Sequence, residues 1–114
     1  MIKIYGLTNC DRCRQAVKDL KVAFVEYQFH DFRKNGLNPD KLETWLKAVD
    51  YKLLLNKRST TWRELSEKNK ENLNDRKAVH LMIQFPALIK RPVFEVGEKI
   101  VIGYTENEKK ALGL

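Results

Sequence analysis

A chain of 114 residues, 43% hydrophobic and 32% charged, has the length of one domain with a modest core. No run approaches the roughly 20 apolar residues a bilayer-spanning helix needs, so no membrane association is expected. The net charge of +7 raises the question of nucleic acid, but 22 Lys and Arg are interleaved with 15 Asp and Glu along the whole chain, without a basic block or a nucleic-acid motif. Most of this charge therefore belongs to solvated faces, and direct nucleic-acid binding is not expected.

Ile2-Lys3-Ile4-Tyr5 alternates as a strand and Gly6 breaks it, after which Cys13, Ala16, Val17 and Leu20 recur at helical spacing. A connection at Lys21 to Ala23 leads to a second strand over Phe24 to Phe29, and strand, helix, strand in that order predicts a parallel right-handed crossover. Asn38-Pro39-Asp40 reads as an N-cap followed by a helix with Leu42, Trp45, Leu46 and Val49 as its buried stripe. Leu53-Leu54-Leu55 then runs into the polar turn Asn56-Lys57-Arg58-Ser59, and Thr61-Trp62-Arg63-Glu64 has the form of a capping box opening a short helix. Asn74 caps a further helix whose apolar side carries Ala78, Leu81, Met82 and Phe85 until Pro86 stops it. Val93 to Val96 and Ile100 to Ile102 flank Gly97-Glu98-Lys99 as an antiparallel hairpin, and Thr105 to Glu108 is a second capping box, for a last helix through Leu112. The predicted class is α/β: one thioredoxin-like domain over 1–114, with a mixed sheet in the order βαβ, helices, ββα and a helical insertion at about 38–87.

The chemistry concentrates in Thr8-Asn9-Cys10-Asp11-Arg12-Cys13, which holds both cysteines of the chain between a strand and a helix. At a helix N-terminus the peptide dipoles and unpaired N–H groups favour a thiolate, and Arg12 and Arg14 add positive charge, so Cys10 is expected to have a depressed pKa. Cys10 is read as the attacking thiolate and Cys13, on the apolar face, as a resolving thiol. Two cysteines cannot complete a zinc site alone, and His30 and His80 lie far off without ligand spacing, so no metal is expected. No apolar leader is read, so a reducing, cytoplasmic location is expected, where a structural disulfide rarely persists. Two ordinary buried cysteines are the plain alternative. His30 and His80 read as spectators.

Leu88-Ile89-Lys90-Arg91-Pro92-Val93 puts a proline directly before a strand. The thioredoxin-like topology implies a cis bond there, with Arg91 beside Cys10; a trans proline and a surface arginine is the alternative. A local anion site near Cys10 that attracts glutathione or another anionic substrate is then the economical use of the positive charge.

Gly6 through Cys10, Leu55-Asn56-Lys57-Arg58-Ser59-Thr60-Thr61-Trp62, Lys77-Ala78 with Leu81-Met82, and Pro86 through Val93 together resemble the arsenate-reductase-related (ArsC/Spx) proteins of bacteria, nearest the YffB-type branch, over essentially the whole chain. The resemblance implies a glutathione-dependent thiol reductase that works through a mixed disulfide on Cys10. Asn9, Arg58, Arg91 and Pro92 are its implied substrate or anion site. No bound cofactor is implied; glutathione is the co-substrate, glutaredoxin or thioredoxin the alternative reductant, and a monomer is expected. Arsenate reductases surround their cysteine with three arginines, whereas here Arg91 matches one, Asn56 or Arg58 stands near another and Gly103 replaces the third, so arsenate reduction is the lesser reading. Cys13 and the closing Val101-Ile102-Gly103-Tyr104 resemble the Spx-type regulators, whose disulfide acts as a redox switch for binding RNA polymerase. That regulator is the second reading.

Overall fold

In the computed structural model, which describes residues 1–114, four strands form one mixed sheet: β1 (Ile2–Gly6), β2 (Tyr27–Asp31), β3 (Val93–Val96) and β4 (Lys99–Ile102), in the order β2-β1-β3-β4. β1 and β2 pair in parallel from Ile2 opposite Tyr27 to Gly6 opposite Asp31, joined by helix α1 (Asp11–Val22). β3 runs antiparallel to β1, with Ile4 opposite Phe94, and returns through the Gly97-Glu98 turn to β4. This is the thioredoxin-like arrangement the element order predicts.

The sheet and its helices form the unit 1–36 with 91–114, whose core is a cluster of Ile2, Ile4, Ala16, Leu20, Phe94, Val101 and Tyr104. The alternation of β1 sends Ile2 and Ile4 to the same face as Ala16 and Leu20 of α1, which explains why the 3.6-residue and 2-residue periods meet there. Each fully buried large side chain of this kind contributes roughly 1.5–3 kcal/mol. Helix α7 (Glu106–Ala111) closes the unit; the Thr105 N–H donates to Glu108 Oε1 at 2.7 Å, as the capping box predicts, and the Thr105 hydroxyl donates to the same oxygen at 2.7 Å. Tyr104 donates its hydroxyl to Asp19 Oδ2 on α1 at 2.6 Å, tying the chain just before α7 to α1.

The second unit, 37–90, is helical. It contains α2 (Pro39–Ala48), α3 (Tyr51–Leu54), α4 (Thr60–Glu64), α5 (Glu67–Lys70), α6 (Asp75–Gln84) and a single 3₁₀ turn at Pro86–Leu88. Asn38 caps α2 by accepting from Asp40 N–H at 2.8 Å, and Asn74 caps α6 by accepting from Lys77 N–H at 2.8 Å. Leu42 and Trp45 of α2 and Ala78, Leu81 and Met82 of α6 are buried as their spacing requires. No helix is long and apolar enough to cross a membrane.

Two expectations need correction. The second strand begins at Tyr27, not Phe24, because α1 continues to Val22 and the chain leaves it through Phe24 at φ 58°, with a side chain 95% exposed. That left-handed residue spends the aromatic, which looked like strand material, on the helix exit. The cap of α4 is Ser59, whose Oγ accepts from Trp62 N–H at 3.1 Å, so the helix is capped two residues before the box read at Thr61. The single-turn helices α3 and α5, capped by Asp50 and Ser66, are too short to show a period in the sequence.

Candidate active site

β1 ends at Gly6, and only Leu7, Thr8 and Asn9 separate it from Cys10, the N-cap of α1. Cys10 N–H donates to Leu7 O at 3.2 Å, and Cys10 O accepts the first helical bond from Arg14 N–H at 3.0 Å. Cys13, one turn on, is 1% exposed, whereas Cys10 is half-buried and Asn9 exposed. Both thiols are free.

Gly6 is there for the sulfur. A Cβ built on it would overlap Cys13 Sγ and lie 3.9 Å from Arg91 Cβ. Alanine normally suits a strand interior better than glycine by about 0.5–1 kcal/mol, but the overlap here is with a buried, constrained atom. Gly6→Ala is therefore expected to destabilise the fold by about 1–3 kcal/mol. The change should be read as a lower urea midpoint at unchanged slope.

The two sulfurs polarise each other in opposite directions. The Cys13 thiol donates a hydrogen bond to Cys10, and this outweighs the cost of burial. The Cys13 backbone N–H and the Arg91 guanidinium add to it, and together they bring the Cys10 pKa down to about 5. Cys13 moves far upward, because its proton is engaged by Cys10 and because burial disfavours its charge. At neutral pH the pair is one thiolate and one thiol, and the half-buried sulfur carries the charge.

The source of positive charge differs from the expectation. Arg12 is exposed, and Arg14 is paired with Asp11 one turn back, so neither serves Cys10. Arg91 does, from the far end of the sequence. It precedes Pro92 across a cis peptide bond at the entry to β3, and Pro92 O accepts from Gly103 N–H at 2.8 Å. The structure thus brings Cys10, Cys13 and Arg91-Pro92 together in the sheet unit. Arg58 belongs to the helical unit, where it is exposed and its N–H donates to Asn56 Oδ1 at 3.0 Å.

An open hollow of about 280 Å³ runs along Leu7, Thr8, Cys13, Val17, Tyr27 and Phe29 beside the motif. A larger one, about 690 Å³ between α2 and α6, contains no cysteine and is not where the sulfur chemistry lies. His30 holds Gly36 O through Nε2 at 2.7 Å and packs its ring at a tilt against Tyr5, and His80 is exposed on α6. Sequence reasoning missed Gly6 as a packing requirement and Asp31 as a partner of the motif loop. In the run Phe29-His30-Asp31-Phe32 no local pattern marks the carboxylate as a backbone acceptor.

Comparison with known proteins places the chain in a family. The model of the ArsC family matches residues 5–112. An uncharacterized protein of Haemophilus influenzae is 39% identical over 111 residues, covering 97% of each chain. The solved structure of a YFFB protein superimposes with a TM-score of 0.91 at 33% identity over 97% of both chains. The global transcriptional regulator Spx 2 of Bacillus anthracis is 24% identical over 110 residues, 95% of this chain and 83% of that one. With a match over nearly its whole length and a thiolate motif at the mouth of α1, the chain belongs to the ArsC family.

Proposed function

We propose that the protein is a glutathione-dependent thiol reductase of the cytoplasm, acting as a monomer through Cys10. The observation that carries this reading is the unequal sulfur pair, a half-buried Cys10 at the N-cap of α1 beside a buried Cys13, an arrangement that with Arg91 lowers the pKa of the first and raises that of the second. The Cys10 thiolate attacks one sulfur of a substrate disulfide, forming a Cys10–substrate disulfide and expelling the other sulfur as a thiolate. Release follows in one of two ways. In the first, a glutathione thiolate attacks Cys10 Sγ of the mixed disulfide, the substrate's second sulfur leaves as a thiolate, and a second glutathione attacks the Cys10–glutathione disulfide, releasing the Cys10 thiolate and glutathione disulfide. In the second, Cys13 loses its proton and attacks Cys10 Sγ, the substrate's second sulfur leaves as a thiolate, and two glutathiones reduce the resulting Cys10–Cys13 disulfide. Either way the substrate disulfide gains two electrons and two glutathiones become one glutathione disulfide. Glutaredoxin or thioredoxin can supply the same electrons.

Arg91, with Asn9 and the chain at Pro92, is assigned to the glutathione carboxylates, and the family resemblance adds Arg58. Arg91→Ala is expected to weaken glutathione binding by about 1.5–3 kcal/mol, roughly 10- to 100-fold. Arg58→Ala should also weaken it. Arg63→Ala should not, since Arg63 Nη2 spends a donor on Arg58 O at 3.2 Å on an exposed helix. Calorimetric titration of the three variants checks this; equal affinities for Arg91→Ala and Arg63→Ala end the anion-site assignment.

A second reading, a redox-switch regulator that binds RNA polymerase, is favoured by the Cys10 and Cys13 pair and the Spx relative. Arsenate reduction stands third. The family resemblance sets Gly103 where the third arginine would stand; its φ of +90° suits glycine, and a Cβ there would lie 3.4 Å from Glu108 Oε1.

A further inference from the structure

Asp31 is the one charged residue that the fold buries, at 4% exposure, and nothing in the chemistry above uses it. We propose that Asp31 is a positioning residue for Cys10, holding the loop that carries the thiolate. This deepens the reductase reading and rests on Cys10 being the nucleophile.

Asp31 is the last residue of β2 and pairs with Gly6, the last of β1, so the sheet ends at this pair and the chain must enter α1 within the next four residues. Phe32 N–H donates to Gly6 O at 2.9 Å, and beyond that the backbone pairing stops. The carboxylate takes over. Its Oδ2 accepts from Thr8 N–H at 2.9 Å, in the middle of the loop before Cys10. Its Oδ1 accepts from Arg33 N–H at 2.7 Å and Lys34 N–H at 3.1 Å, in the turn after β2. That turn is locked back onto the same residue, with Asp31 N–H donating to Asn35 Oδ1 and Asn35 N–H to Asp31 O. One oxygen thus fixes a rigid turn and the other hands that rigidity to the cysteine loop. Burial opposes the Asp31 charge, yet these backbone donors outweigh it and hold the carboxyl below its ordinary pKa. The group acts through the backbone: the cation that bears on Cys10 is Arg91, and Cys13 supplies hydrogen bonds.

Asn at position 31 keeps one acceptor and turns the other oxygen into a donor, which must face either Thr8 N–H or the Arg33 and Lys34 N–H groups. The test measures the pH midpoint of Cys10 alkylation by iodoacetamide in the wild type, Asp31→Asn and Asp19→Asn, with melting curves for all three. Asp19 is the control, an aspartate on α1 bonded to Tyr104. Asp31→Asn is expected to raise the Cys10 midpoint by about one unit or more, a tenfold change in acidity, while Asp19→Asn leaves it in place. A purely structural role would lower the melting temperature and leave the midpoint unmoved, and that result in a folded Asp31→Asn overturns the proposal. If the variant does not fold, amide exchange of the wild type decides. Thr8 N–H should exchange as slowly as the β1 amides, and exchange at the rate of an open loop removes the proposed anchor. Neither readout needs glutathione or turnover, so the anchor can fail with the reductase reading intact, and the reverse.

Discussion

Cys13→Ala shifts the pH midpoint of Cys10 alkylation upward from about 5 by roughly one to two units, whereas Cys13→Ser leaves it nearly in place. The largest influence on Cys10 is the hydrogen bond from the Cys13 thiol, and a bond to a charged acceptor is worth about 1.5–3 kcal/mol. At 1.36 kcal/mol per unit, losing it accounts for a shift of that size. The sign follows from which form reacts. Above the midpoint Cys10 is a thiolate and the rate is on its plateau; below it the rate falls about tenfold per unit. The wild type at pH 7 sits on the plateau, and Cys13→Ala moves the slope toward neutral pH. Serine offers an O–H in place of the S–H, so a donor persists. An equal rise in both variants would show that the contact is not a donated hydrogen bond. No rise in either would leave the helix N-terminus and Arg91 as sufficient causes.

How much of this was legible depended on the range of the interaction. β1, α1, α2, α6, the β3–β4 hairpin and α7 announce themselves through periods of two or 3.6 residues and through caps at Asn38, Asn74 and Thr105, all local signals. β2 was misplaced because Phe24 is a strand former by composition and a helix-exit residue by geometry. The site divides the same way. The position of Cys10 at the N-cap and the burial of Cys13 follow from spacing alone. The identity of the cation does not: Arg12 and Arg14 are adjacent in sequence, but solvent takes the first and Asp11 the second. Arg91 is reached only through the expected topology and the family resemblance. Asp31 and the true reason for Gly6 are contacts across the sheet end and the helix, which no local pattern encodes.

The same division bears on the choice between reductase and regulator, since both use Cys10 and Cys13 and differ in what must follow the first disulfide. Turnover with glutathione is expected in the wild type, to be abolished by Cys10→Ser and retained in substantial part by Cys13→Ser. Cys10 is the half-buried thiolate that an incoming disulfide can meet, so its loss removes the nucleophile itself. Cys13 is 1% exposed beneath Gly6, and its pKa is pushed far up, so it is a poor attacker at neutral pH. External glutathione faces no such barrier at a mixed disulfide on Cys10. A Cys13→Ser variant that stalls as the trapped mixed disulfide, seen by mass spectrometry, would instead make the enzyme a dithiol reductase in which Cys13 is unmasked during the reaction. A wild type without turnover, whose oxidised and reduced forms differ in binding to RNA polymerase, would assign the pair to a switch. In that case the acidity of Cys10 serves the speed of sensing an oxidant, and Cys13→Ser, unable to close the disulfide, should abolish the difference between the two forms.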